Sequence, residues 1–239
     1  MYHPPIKVIT FDLDDTLWEV QPVLEKAERL VYAWLLEHAS RVTDRFTLES
    51  FMQWRWDIYQ QQPELAHNMT QLRLVAVKAA LIDVGYSANT AQQLSQQAFD
   101  IFIKARHDIT FFDTAIPLLE ELHHKFILGA LSNGNADIFK LEAAPYFDFS
   151  FSAEHLNASK PDPAQFNAAA KKAQVEMNQI IHIGDNIEHD IKGAKQAGCY
   201  SIWFNPKKLT VPADIQPTQE VICLSEIPVA INNIAQQLN

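Results

Sequence analysis

Ile6-Lys7-Val8-Ile9-Thr10-Phe11-Asp12-Leu13-Asp14-Asp15-Thr16-Leu17 is the stretch whose reading decides the fold. Its first half is an apolar, largely β-branched run (Ile6, Val8, Ile9, Phe11) broken only by Lys7 and Thr10. A run this short and this apolar predicts a strand buried on both faces, as in a parallel sheet. It stops at three carboxylates, Asp12, Asp14 and Asp15. Crowding unpaired carboxylates at a strand end is unfavourable, so something cationic belongs beside them. Hard oxygen donors select Mg²⁺ or Ca²⁺ over softer metals. In open α/β sheets ligands gather at the carboxyl ends of the strands, where these residues fall. Taken alone, the stretch reads equally well as a strand followed by a solvated acidic turn, because Asp-Asp-Thr is common turn chemistry. The rest of the chain decides between the two.

The 239 residues suit one large domain or a core with a smaller companion. With 48% hydrophobic and 20% charged residues, a globule with a proper core is expected. The net charge of −10 and the lack of a Lys/Arg cluster argue against a nucleic-acid or membrane surface. They leave room for a small phosphorylated ligand, which one metal ion and a cation or two suffice to hold. Cys199 and Cys223 each sit in an apolar run, and both are expected to be buried free thiols. Residues 1–7 show no signal-peptide pattern, and no run is long enough to span a bilayer, so a cytoplasmic location is expected.

Beyond Leu17 the spacing turns helical. Val23, Ala27, Leu30, Val31, Trp34 and Leu35 share one face with a period near 3.6. Further helices are predicted over 48–61, 69–84 and 89–106, bounded by Pro63 and Gly85. This all-helical insert, residues 18–111, reads as a cap domain. Residues 1–17 and 112–239 form the α/β core. In the core, helices are predicted around Leu118 and after Asn133-Gly134-Asn135 as far as Ala143. Strands are predicted from Phe126 to Ser132, 147–151, 180–184, 199–204 and 220–224. Asp162 is read as an N-cap, with Pro163 the first residue of a helix through Ala173.

Three of these strands end in a polar group: Asp12, Ser132 and Asp185. A parallel sheet brings such ends to one edge, beside a loop lysine, Lys160, whose backbone Pro161 and Pro163 restrict. Phosphoryl transfer needs a nucleophile, neutralisation of the phosphoryl oxygens and a proton donor for the leaving group. Asp12 has the chemistry to attack phosphorus and Asp14 to protonate the leaving oxygen. Mg²⁺ would rest on Asp12 and Asp185, with Asp190 a further candidate. Ser132, the backbone N–H groups of Asn133 and Gly134, and Lys160 would hold the phosphoryl oxygens. Thr16 is counted with this set, although hydrogen bonding within the turn to orient Asp14 is its expected task. Asn186 is expected to fix Lys160 or the metal shell, or simply to shape its loop. His182 is read as a satisfied core histidine.

Phe-Asp-Leu-Asp-Asp-Thr-Leu, Leu-Ser-Asn-Gly, Ser-Lys-Pro-Asp-Pro and His-Ile-Gly-Asp-Asn-Ile-Glu-His-Asp resemble, in order and spacing, the four motifs of the haloacid dehalogenase-like hydrolase superfamily. That resemblance implies a Rossmann-like parallel sheet with the Asp12 strand central and an inserted helical cap. It implies a Mg²⁺-dependent phosphatase with Asp12 as nucleophile and Asp14 as general acid/base. The metal ligands would be Asp12, the main-chain carbonyl of Asp14, and Asp185, with Asp190 a ligand or a supporting partner. Asp15 stands where the superfamily often has glycine. Within the superfamily the chain is similar to phosphatases of flavin mononucleotide and of the ribitylamino-uracil phosphate of riboflavin synthesis. Sugar-phosphate and nucleotide phosphatases share the same features.

Rival functions weigh less. A dehalogenase of this fold works without Mg²⁺ and has no acid at the Asp14 position, and a phosphonate hydrolase needs a Schiff-base lysine among Lys26, Lys78 and Lys104. A phosphomutase shares the core residues. A phospho-accepting receiver is half this length, and a silent scaffold has no reason to keep both Asp12 and Asp14. In the cap, Trp54, Trp56 and Tyr59 are read as core aromatics in preference to the alternative, an exposed platform for a flat ring with Arg55 or Arg73 meeting a second anionic group of the ligand.

Overall fold

A computed structural model describes residues 6–238. The reading of the first residues as lacking a signal falls partly on residues 1–5, outside those described. The described residues divide into two compact units, one formed by 6–19 together with 110–238, the other by Val20–Ile109.

The first unit is an α/β layer structure. Its sheet has the order β3-β2-β1-β4-β5-β6 among the described residues, every pair parallel. The strands are β1 (Val8–Phe11), β2 (Ile127–Ser132), β3 (Phe149–Ser152), β4 (Ile180–Gly184), β5 (Tyr200–Phe204) and β6 (Gln219–Val221). β1 lies inside the sheet, and Val8, Ile9, Thr10 and Phe11 are all fully buried. That is why its sequence is a near-continuous apolar run and not an alternation. Phe11 is level with Ala130 of β2 and Ile183 of β4. The residues that follow these three therefore leave the sheet along one edge.

Connections match the predicted ones with small shifts. The stretch after Asn135 forms two short 3₁₀ turns, Ile138–Lys140 and Ala144–Tyr146, in place of one helix, with Pro145 in the second. The helix over Ala164–Ala173 begins one residue later than expected, although Asp162 Oδ1 does accept the Ala164 N–H at 2.9 Å. β6 starts and stops earlier than 220–224, and Cys223 lies beyond it, exposed, which corrects the expectation of a buried thiol. Cys199 is buried as expected.

The second unit contains α1 (Val20–His38), α2 (Ser40–Arg45), α3 (Leu48–Gln61), α4 (Met69–Asp83) and α5 (Ala88–Arg106). Side-chain caps start three of them. Thr47 accepts from Ser50 N, Asn68 from Gln71 N and Ser87 from Thr90 N. Ala27, Val31, Leu35, Val77, Leu81, Ala98 and Phe102 form its core. Trp54 packs against that core and donates its indole N–H to the Ala76 carbonyl at 3.0 Å. Trp56, read as core, is 56% exposed and lies against Tyr59. The anion that meets Arg55 and Arg73 comes from the chain itself. Glu28, 3% exposed, takes Arg55 at 2.5 Å and Arg73 at 2.7 Å, and Arg73 also lies 3.3 Å over the Phe102 ring. Burial works against charge on Glu28, but Arg73 and Arg55 outweigh it and hold the carboxyl below its usual range.

Candidate active site

The site is built on strand ends of the first unit. Asp12 follows β1 and donates its backbone N–H to the Ile183 carbonyl at 2.8 Å. The chain then turns sharply, with Leu17 N and Thr16 N both donating to the Leu13 carbonyl. Asp15 adopts φ +58° at this turn. Glycine reaches that region without strain, and aspartate is one of the few other residues that tolerates it.

Lys160 is the electrostatic centre. Its side chain is 1% exposed, and its ammonium donates to Asp12 Oδ1 at 2.7 Å, Asp190 Oδ1 at 2.6 Å and the Leu131 carbonyl at 2.5 Å. Three donors thus meet three acceptors on three different elements. The backbone of Lys160 is clamped as well. Asn133 Nδ2 donates to the Lys160 carbonyl at 2.9 Å, and Lys160 N–H donates to Asn133 Oδ1 at 2.8 Å. Gln165 Nε2 adds a donor to Asn133 Oδ1 at 3.0 Å. Burial opposes charge on Lys160, yet Asp12 and Asp190 overcome it and raise its pKa.

Asp190 is 1% exposed and fully engaged. Its Oδ1 takes Lys160 and His182 Nε2 at 3.2 Å, and its Oδ2 takes the Asn186 N–H at 2.9 Å. Against its burial, Lys160 and His182 hold this carboxyl far below the usual range. The carboxylate also lies over the backbone of Gly184, where an added Cβ would stand 2.3 Å from Asp190 Cγ. His182 is buried, with Nδ1 2.9 Å from the Thr10 hydroxyl. It is the satisfied core histidine expected, with one nitrogen against Asp190.

Asp12 and Asp185 behave differently. Burial pushes Asp12 well above its ordinary value, and Asp190 and Asp185 add to this in spite of Lys160. Burial, then Asp190 and Asp15, raise Asp185 to about 7. Ligand atoms of Asp12, Asp185 and Asp190 all lie within 4.8 Å of one another. Three carboxylates around one ammonium leave positive charge in deficit, and an all-oxygen donor set fits a hard divalent cation.

Asp12, Asp14, Ser132, Asn133, Gly134, Lys160, Asp185 and Asp190 line one cavity of about 190 Å³. Of the sequence-predicted residues, Thr16 does not line it. Thr16 is fully buried, its hydroxyl donates to Asp185 Oδ1 at 3.2 Å, and it accepts the Asp185 N–H at 3.1 Å. It ties the first motif to the fourth, where orientation of Asp14 was expected. The Gly134 N–H donates to Ser132 Oγ at 3.0 Å. Asn186 shapes its own loop, its Oδ1 accepting Glu188 N and His189 N. Sequence reasoning missed the side-chain clamp by Asn133 and a contact to Asp14 from Trp18, whose indole N–H donates to Asp14 Oδ1 at 3.0 Å.

Residues 6–198 match the haloacid dehalogenase-like hydrolases, and the chain belongs to that family of hydrolases. It is 31% identical over 202 residues to the 5-amino-6-(5-phospho-D-ribitylamino)uracil phosphatase YigB of Escherichia coli (strain K12), covering 84% of each chain. It is 26% identical over 208 residues to the glyceraldehyde 3-phosphate phosphatase of Methanopyrus kandleri, covering 82% of this chain and 83% of that one. The crystal structure of 2-haloacid dehalogenase from Pseudomonas syringae pv. Tomato DC3000 superposes with a TM-score of 0.90 at 38% identity, covering 95% of this chain and 99% of that one.

Proposed function

We propose that this hydrolase is a Mg²⁺-dependent phosphomonoesterase that works through an aspartyl-phosphate on Asp12. The observation that carries the reading is the charge deficit around Lys160. Asp12, Asp185 and Asp190 converge within 4.8 Å beside a single ammonium, and burial, to which neighbouring carboxylates add, pushes Asp12 and Asp185 up. Asp12, Asp185 and the main-chain carbonyl of Asp14 would hold the ion, with Asp190 supporting them through Lys160. When bound, the cation supplies the missing charge and offsets repulsion between Asp12 and a phosphate dianion.

The chain's own residues do the rest. Asp12 Oδ attacks phosphorus in line, and the bond from phosphorus to the ester oxygen breaks. Asp14 delivers a proton to the departing oxygen, then takes one from the water that attacks the same phosphorus, which frees phosphate and restores Asp12. Ser132 and backbone N–H groups of the Asn133 loop hold the equatorial oxygens, and Lys160 joins them by exchanging one of its present acceptors for a phosphoryl oxygen. The cavity is smaller than the ~300–1,000 Å³ of sites that enclose a whole small ligand, so it suits the reacting group alone. Flavin mononucleotide or a riboflavin-pathway ribityl phosphate is the favoured substrate class, with YigB as support. Small sugar phosphates come next, since another relative acts on glyceraldehyde 3-phosphate. A cytoplasmic location goes with such a substrate.

The likeness to a 2-haloacid dehalogenase favours a second reading, halide displacement by Asp12. That chemistry needs no cation and no acid at Asp14, so it leaves the carboxylates at 14 and 185 without a task. The deciding assay measures phosphate release from an aryl phosphate and a panel of ribityl, flavin, triose and nucleotide phosphates, and halide release from a 2-chloro acid, each with Mg²⁺ or chelator. Phosphate release that chelator and Asp12→Asn both abolish is expected. Halide release without phosphate release, or full turnover in chelator, overturns the reading.

A further inference from the structure

We propose that Trp18 is a positioning residue for Asp14, holding the proton-transferring carboxylate by its indole N–H. The inference rests on the phosphatase reading above. Trp18 is completely buried, and its Nε1–H donates to Asp14 Oδ1 at 3.0 Å. An indole offers one donor and no acceptor, and a buried one needs a partner. It anchors a carboxylate without competing for the proton that carboxylate moves.

Both ends of the contact are fixed. The Asp15 N–H donates to the Trp18 carbonyl at 2.8 Å, and Asp14 and Trp18 face each other as a β-bridge. Trp18 bridges in turn to Phe111, whose ring stands perpendicular to the indole with centroids 5.4 Å apart. Phe112 N–H donates to the Leu17 carbonyl at 2.9 Å, closing the same ribbon. The ring therefore has nowhere to swing, and the donor stays aimed at Asp14. The other tryptophan of this unit is used similarly. Trp203 is 1% exposed and donates its indole N–H to the Asp185 carbonyl at 2.7 Å. Each places a buried donor on a loop that lines the cavity.

A general acid works only if its proton lies within hydrogen-bond reach of the leaving oxygen. An aspartate has two side-chain torsions to fix, and anchoring one oxygen restricts both. The effect should therefore depend on how much the leaving group needs a proton. A nitrophenolate departs without much help, whereas an alkoxide does not.

The test compares wild type with Trp18→Phe, in Mg²⁺, on p-nitrophenyl phosphate and on an alkyl phosphate such as glycerol phosphate. We expect kcat on the alkyl ester to fall on the order of tenfold, part of the ~10²–10⁴ a general acid contributes. The fall on the aryl ester should be much smaller, with KM changed by less than about twofold on both. An equal fall on the two esters, or none, overturns the proposal, because lost packing would not distinguish leaving groups. A second measurement needs neither turnover nor metal. The ¹⁵N–¹H indole signal of Trp18, assigned through its bonds among the five tryptophans, should shift in Asp14→Ala more than the other four. A signal that stays in place overturns the contact even if Trp18→Phe does not fold. If wild type releases no phosphate from either ester, the phosphatase reading fails while the indole shift still tests the contact.

Discussion

Replacing Lys160 by methionine tests the electrostatic core of the site most directly. Methionine keeps the length and apolar stem of the side chain but removes an ammonium that meets Asp12 Oδ1, Asp190 Oδ1 and the Leu131 carbonyl at 2.5–2.7 Å. Asp190, 1% exposed, would be left as a buried anion. Removing one partner of a buried pair costs about 3–5 kcal/mol, because the remaining charge is neither solvated nor paired. For a chain of this length that is a fall in Tm of roughly 6–20 °C. The pH dependence gives a sharper signature. In the wild type Asp190 lies below its unfolded value, held there against burial by Lys160 and His182. Its stabilising contribution is present above the unfolded carboxyl pKa of ~3.9 and is lost only as pH falls through the lower folded value. Without Lys160, burial dominates and raises Asp190, so its contribution is present at low pH and lost as pH rises. Urea unfolding in chelator, at intervals from pH 4.5 to 8, should show a gap of about 3–5 kcal/mol near pH 8 that narrows toward pH 4.5. A gap below about 1 kcal/mol at neutral pH, or one that does not change with pH, refutes the assignment of Lys160 as counter-ion to buried carboxylates.

Three further outcomes follow from the same geometry. Gly184→Ala places a methyl 2.3 Å from Asp190 Cγ, so Asp190 must move; we expect about 1–3 kcal/mol of destabilisation by thermal unfolding and loss of most phosphatase activity, and unchanged activity would refute the close packing. Asp185, raised to about 7 by burial, Asp190 and Asp15, contributes stability that is present below ~3.9 and lost as pH rises through about 7. Chelated wild type should therefore lose on the order of 2–4 kcal/mol between pH 5 and 8 that Asp185→Asn does not lose; parallel curves for the two proteins would refute this. In the helical unit, Glu28→Gln removes the shared anion between Arg55 and Arg73 and should cost about 3 kcal/mol, read as earlier exchange of α4 and α5 amides; equal exchange would show that the arginines find other partners.

How much of this was legible before the fold was known depended on whether the partner was near in sequence or implied by a pattern. Strand ends at Asp12, Ser132 and Asp185 were readable because a doubly buried strand announces itself as an apolar run, and the first polar residue after it lies at the sheet edge. The helical insert was readable from its period and its stops, Pro63 and Gly85. Partners of single side chains were not readable. Thr16 binds Asp185, 169 residues away, and nothing local favours that over Asp14. Glu28 meets arginines 27 and 45 residues on, and no helical spacing links them. Asn133 was read only for its backbone N–H, and nothing local showed that its side-chain amide clamps both polar groups of the Lys160 backbone. Exposure at a strand end failed too. Cys223 follows β6 by two residues, and its apolar neighbours gave no sign that the chain had already left the sheet.

The two aspartates paired with Lys160 divide its charge unequally, and that division explains the chemistry expected of each. Asp190 receives Lys160, His182 and a backbone N–H, so its negative charge is satisfied on both oxygens and stays fixed. Among the described residues, Asp12 receives a side-chain donor, Lys160, on one oxygen only, and two further carboxylates face it. An anion that is fully hydrogen-bonded is a poor nucleophile and a good scaffold. One that is under-compensated is reactive once a cation arrives. Lys160 is therefore anchored by Asp190 and the Leu131 carbonyl and turned toward Asp12. It follows that Asp190→Asn should impair activity through Lys160 as well as through the cation. Added Mg²⁺ should then restore less activity to Asp190→Asn than to Asp185→Glu, whose carboxylate survives. Equal recovery at saturating Mg²⁺ would mean that Asp190 serves the cation alone.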